Sequence, residues 1–132
     1  LHPLAVAGLL DHPALVEPLA PRLAELAVAI GPAGLGLSDQ FLPDGDITAA
    51  SLAVLSHAGR RPAMASLQRF AADDHFCAYA GELQSSLSVT AHAIHALAGA
   101  GLDTAPYQRF IAAQQLADGR WPGDKWHGSW LY

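Results

Sequence analysis

The chain has 132 residues, of which 52% are hydrophobic and 14% charged, with 12 Gly, 9 Pro and a formal net charge of −5. That balance builds one modest domain with a buried core and excludes disorder. It also excludes a nucleic-acid groove, which needs clustered basic side chains; Lys125 is the sole lysine.

The opening "LHPLAVAGLL" lacks a basic leader and does not read as a signal peptide. Residues 13–30, "PALVEPLAPRLAELAVAI", carry a helical pattern in which Pro18 and Pro21 predict a break or kink. The next stretch, "LPDGDITAASLAVL" (42–55), sets two carboxylates, Asp44 and Asp46, at the start of an almost wholly apolar helix. A helix apolar nearly all round is buried on most sides. Gly59 fits the left-handed residue that ends it, and Pro62 the start of the following helix, whose Met64, Leu67 and Phe70 recur at helical spacing.

The pattern then repeats. "TAASLAVLSHAGRR" from Thr48 is answered by "TAHAIHALAGAGLD" from Thr90 at an offset of 42, and "LQRF" (67–70) by "YQRF" (107–110) at an offset of 40. Gly101 and Pro106 take the places of Gly59 and Pro62. Tyr107, Phe110 and Ile111 make the second helix of this unit amphipathic. Each unit is an inner apolar helix and an outer amphipathic one, and such hairpins stack side by side. The expected fold is all-α: helical hairpin repeats forming part of an α/α barrel, with a single domain over 1–132. No β-type alternation of useful length occurs. Every apolar run is interrupted before membrane-spanning length. The lone cysteine, Cys77, cannot close an internal disulfide, so nothing points to an oxidising compartment and a cytoplasmic location is expected.

The acid pair admits two readings. The offset of 42 aligns Asp44 with Ser86 and Asp46 with Ser88. Asp and Ser are both N-cap residues, so one of the acids can simply cap the inner helix. Alternatively Asp46 is a Brønsted acid. A free Asp, with a pKa of ~3.9, is protonated in only about one molecule in a thousand at pH 7. Apolar burial and a second carboxylate raise that pKa, whereas the helix N-terminus lowers it. His92 and His95, at i and i+3, have a spacing that can bind a metal, but no third ligand is evident; they read as two partly buried helix histidines. Asp73 and Asp74 read as a solvated loop or cap.

"DGDITA" (44–49) resembles the DxDDTA motif of class II terpene cyclases, and "FIAAQQLADGRW" (110–121) the QW motif of that superfamily, with Gln115, Gly119 and Trp121 in place. Between them, Phe76, Cys77, Tyr79, Gly81 and Glu82 look like the aromatic–Cys–x–aromatic–x–Gly–Glu run of class II diterpene cyclases, and "DKWHGSWLY" (124–132) like a segment that bacterial members carry. The resemblance implies protonation of a terminal alkene of a polyprenyl diphosphate, geranylgeranyl diphosphate in diterpene members. Ring closure then gives a bicyclic diphosphate of the copalyl type. It implies Asp46 as general acid, Asp44 as its partner, and Mg²⁺ assisting the diphosphate through ligands it does not identify. Hopene-type triterpene cyclases share the acid motif, and a non-catalytic toroid or a protein prenyltransferase subunit shares the architecture. The fourth motif position departs from the pattern: Ile47 stands where an Asp is usual, which removes one support of the donor. Carbocations need apolar walls and aromatic faces; Phe41, Phe76, Tyr79, Trp126 and Trp130 are candidates. Of these Phe41, Tyr79 and Trp126 are expected to meet substrate, with Lys125 as a point charge for the diphosphate. Tyr132 is a further open position, while Gln115 and Trp121 are expected to be structural. The absent initiator Met and the helix-like "GSWLY" read as a piece of a larger chain, and the resemblance implies a second helical domain in that chain.

Overall fold

The computed structural model describes residues 1–123; Lys125, Trp126, Trp130 and Tyr132 lie outside the described residues. Six helices follow in order: α1 (His2–Val6), α2 (Pro13–Ala29), α3 (Gly45–His57), α4 (Ala65–Gln68), α5 (Leu87–Gly99) and α6 (Ala105–Ala113). The expected all-α class holds; among the described residues β-structure is confined to isolated bridges that pin loops, such as Leu35 with Asp44 and Cys77 with Ser85.

The inner pair is α3 and α5. They lie side by side and run parallel: Asp46 at the start of α3 meets His92 in α5, while His57 at its end meets the backbone of His95. Small residues on both, Ala49 and Ala53 against Ala93 and Ala96, allow close approach. Around them Leu52, Leu67, Phe70, Phe76, Val89 and Leu97 complete the main core. A second cluster packs Ala5, Leu10 and Leu23 onto Val54 and Leu55, docking α1 and α2 on α3. Each fully buried Leu or Phe contributes about 1.5–3 kcal/mol, whereas an exposed pair such as Arg22–Glu25 contributes about 0–1 kcal/mol. Apolar packing therefore decides the fold.

The repeat seen in the sequence is a repeat of hydrogen bonds. Asp44 caps α3 by accepting from the N–H of Ile47 at 2.7 Å, and Ser86 caps α5 by accepting from that of Val89 at 3.4 Å. One turn on, the hydroxyl of buried Thr48 accepts from the N–H of Leu35 (2.9 Å), and that of buried Thr90 from the N–H of Phe76 (3.0 Å). Each Thr thus holds the loop that leads into its own helix. Gly59 and Gly101 close the two inner helices with φ of 72° each, a conformation that disfavours any Cβ.

Two expectations are corrected. Helix α2 runs without a break through Pro18 and Pro21, which removes the break from the expected break or kink. Both prolines are exposed, as are Ala14 and Glu17, the residues whose carbonyls lose an i+4 donor to them, so the lost bonds fall on the solvent side of the helix. The outer helix of the first unit does not start at Pro62: residues 60–63 are irregular and α4 is a single turn. The chain then folds back, the N–H of Cys77 donating to the carbonyl of Phe70 at 2.8 Å, which ends helical growth there. In the second unit Pro106 sits in the first turn of α6 as expected.

Candidate active site

The site is built on the first turn of α3. Because Asp44 is the N-cap, Asp46 falls one residue inside the helix and is not the capping group. Of the two acids left open by the sequence, Asp44 therefore takes the cap. Gly45 between them presses against the loop after α4: its N–H donates to the carbonyl of Ala78 at 2.8 Å. Both acids line a concave hollow of about 460 Å³ whose other walls are Leu37, Ile47, Ala78, Tyr79, Ser88 and Val89. A neighbouring hollow of about 530 Å³ shares Asp44, Ile47 and Tyr79 and adds Gln40, Phe41 and Leu42. Asp44, Asp46, Tyr79 and Phe41 are thus brought together. Phe76 is not: it is fully buried, packed on Tyr107 with ring centroids 4.8 Å apart, and belongs to the core.

The partner of Asp46 escaped the sequence reading. Nδ1 of His92 stands 3.0 Å from Oδ1 of Asp46, both side chains being partly exposed. Sequence contained a usable signal: a polar ring on an otherwise apolar inner helix, one turn beyond Ser88, the residue the repeat aligns with Asp46. Ile47, at the fourth motif position, gives its N–H to Asp44 and lends its side chain to both hollows, so an apolar wall stands where a carboxylate is usual.

Burial raises the Asp44 carboxyl above its ordinary 3.8; the N–H of Ile47 opposes this and the charge of Asp46 reinforces it. A carboxyl raised on folding holds its proton more tightly in the folded state. Its contribution to stability is complete below the ordinary value and is lost as pH rises through the raised one. Asp44→Asn keeps a good cap and cannot titrate. The variant should gain stability relative to the unmodified protein as pH rises above about 4 and level off beyond the raised value. Urea midpoints across a pH series measure this; superimposable profiles would mean that burial does not govern Asp44.

The residues read as structural behave so. Nε1 of Trp121 donates to the carbonyl of Ile111 at 2.8 Å, and Nε2 of Gln115 to that of Gly119 at 2.8 Å. The first ties the end of α6 to its following loop, and the second braces that loop on itself. Asp73 and Asp74 are exposed, Asp74 pairing with His75 at 2.8 Å. Among the described residues no group of three or more His, Cys, Asp or Glu is arranged to hold a metal. Among the described residues that line the hollow the carboxylates are two, Asp44 and Asp46, and no third His, Cys, Asp or Glu joins them. No helix among them is long and apolar enough to cross a membrane.

No protein-family profile matches the chain. A (+)-kolavenyl diphosphate synthase of Herpetosiphon aurantiacus is 50% identical over 133 residues, covering 100% of this chain and 25% of that protein. A labda-7,13-dienyl diphosphate synthase of Streptomyces clavuligerus is 35% identical over 136 residues, covering 96% and 24%. Among solved structures, the ent-copalyl diphosphate synthase from Streptomyces platensis superposes with a TM-score of 0.69 at 29% identity, over 77% of this chain and 22% of that one. The chain spans about a quarter of the length of the curated relatives it matches.

Proposed function

We propose, from the premise that the chain is a bacterial class II diterpene cyclase-like protein, that it is the acid-bearing part of a larger cyclase acting on geranylgeranyl diphosphate. In this reading Asp46 protonates the terminal alkene, ring closure follows, and a bicyclic diphosphate of the copalyl type leaves. A second helical domain elsewhere in the same enzyme closes the hollow, and the enzyme works in the cytoplasm. The single observation that carries the proposal is the division of labour at the start of α3. Asp44 is spent on the cap, while Asp46 lines the hollow with His92 at 3.0 Å.

The step follows from that geometry. With Nδ1–H of His92 donated to Oδ1, the acidic proton of Asp46 sits on the other carboxyl oxygen. The hydrogen bond fixes the carboxyl's rotamer and supports the carboxylate left behind when the proton goes to carbon. Ile47, Ala78 and Val89 form a wall without nucleophiles, and the faces of Tyr79 and Phe41 offer π density to the cation. Once the cavity is closed, loss of water raises the proton affinity of Asp46, and Asp44 beside it acts in the same direction. Mg²⁺, when bound, would neutralise diphosphate charge; the described residues give it no site, and the proton transfer rests on side chains alone. A hopene-type reading uses the same acid without a diphosphate, whereas the relatives named above are diphosphate synthases.

Incubating the complete enzyme with geranylgeranyl diphosphate and identifying the product by mass spectrometry tests the proposal. A bicyclic product that keeps its diphosphate is expected. Turnover of squalene in place of the diphosphate would transfer the chain to the triterpene class.

A further inference from the structure

Beside Asp46, four imidazoles from three helices stand in a row, none of them among the residues that line the acid's hollow. Nδ1 of His92 is 3.0 Å from Asp46. The ring of His2, on α1, meets the ring of His92 edge-on with centroids 4.5 Å apart. Nε2 of His2 is 3.4 Å from Nδ1 of His95. The ring of His57, at the end of α3, lies against that of His95 at 4.1 Å, and His57 is exposed to solvent. The row therefore leads from water to the carboxyl. The titratable groups that meet along it are these four rings and Asp46.

We propose that this row returns a proton from solvent to Asp46 after each turnover; the inference rests on the reading of Asp46 as general acid. Each cyclisation moves the proton of Asp46 onto a substrate carbon and leaves a carboxylate. The final cation loses a proton to a separate acceptor, so the reaction balances only when Asp46 regains one. The hollow cannot supply it while hydrocarbon fills it. Through the row, a solvent proton taken up at the exposed end passes from His95 to His2 and on to His92. It passes from Nδ1 of His92 to Oδ1 of the carboxylate; a half-turn of the carboxyl about its Cβ–Cγ bond then faces that proton to the hollow and presents the bare oxygen to His92. A neutral imidazole accepts at one nitrogen and releases at the other, so no oxidant or co-reactant is needed. Between His57 and His95, and again between His2 and His92, the rings touch without a hydrogen bond, Nε2 of His57 being engaged with the backbone carbonyl of His95; turns of the exposed His57 ring and of the half-buried His2 ring complete those transfers. Burial holds both His2 and His95 below their ordinary values, His2 further through His92 and His95, and His95 further through His57 and His92. Both shifts favour the neutral ring, which suits a group that binds a proton only in passing.

The test uses the complete enzyme carrying His2→Phe, His95→Phe or both, the ring filling the imidazole's space. With enzyme in excess over geranylgeranyl diphosphate, the single-turnover rate should stay within about twofold of the unmodified enzyme. The steady-state rate should fall about tenfold, giving a burst, and added imidazole should restore it. His57→Phe, at the exposed end and outside the core, should give a weaker form of the same pattern, and answers the question if the double variant misfolds. An unchanged steady-state rate overturns the relay. So does an equal fall in both rates that imidazole does not relieve, since that marks a structural role. A single-turnover rate that survives Asp46→Asn defeats the acid reading itself, a distinct result.

Discussion

If Asp46 is the general acid, Asp46→Asn in the complete enzyme should remove cyclisation, lowering turnover by about 10³-fold or more, at the upper part of what a general acid contributes. The amide still offers an oxygen to His92 but has no proton that it can give to an alkene. Folding should be untouched, because Asp46 lies neither in the core clusters nor at the cap, which belongs to Asp44. The paired measurements are product formation from geranylgeranyl diphosphate and thermal unfolding. Full activity in the variant, with an unchanged melting curve, would leave Asp46 as an ordinary first-turn residue and the toroid as a binding module.

The second large effect is expected one residue earlier. Gly45→Ala should destabilise the protein by about 1–3 kcal/mol, the usual cost of overpacking a tight contact. A Cβ there would stand 2.5 Å from the carbonyl oxygen of Cys77 and 2.8 Å from Cγ1 of Val89. The first of these is backbone and cannot swing away: the N–H of Cys77 is bonded to Phe70, and Phe76 next to it accepts from Ser86. Gly45 has helical dihedrals, so backbone strain plays no part, and Ala is the better helix former by about 1 kcal/mol. The steric cost exceeds that gain. The urea midpoint should drop with an unchanged slope, and activity should fall as well, since any shift that relieves the clash moves the first turn of α3 and its carboxylates. A midpoint equal to or above that of the unmodified protein would show that the loop after α4 yields easily.

The features legible in the sequence were those fixed by interactions a few residues long. The caps are bonds from i to i+3, so the sequence showed that one acid of the pair caps α3, though not that it is Asp44; the left-handed Gly59 and Gly101 end their own helices. Such contacts repeat with the chain, so the 42-residue offset exposed them. The pairing of Asp46 with His92 bridges 46 positions, and the contact of His2 with His95 bridges 93. Both depend on how α5 and α1 are rotated about their axes, which no local rule sets. Burial separated Phe76 from Tyr79: three positions apart on one loop, the first is fully buried and the second lines the hollow. The shortness of α4 was hidden for a like reason, since its end is imposed by a backbone bond from Cys77 to Phe70.

The twin clamps at Thr48 and Thr90 carry an evolutionary consequence. Each hairpin holds its own entry loop, and the sister unit does so with Ser86 and Ser88 where the first has Asp44 and Asp46. If Asp46 is the acid, scaffold and chemistry are separable, and a variant of this chain carrying both Asp44→Ser and Asp46→Ser should fold as the parent does while making no product. Reactivity can be gained or abandoned by exchanging a pair of side chains, and the descent of such toroids should contain silent members whose shape has outlived their trade.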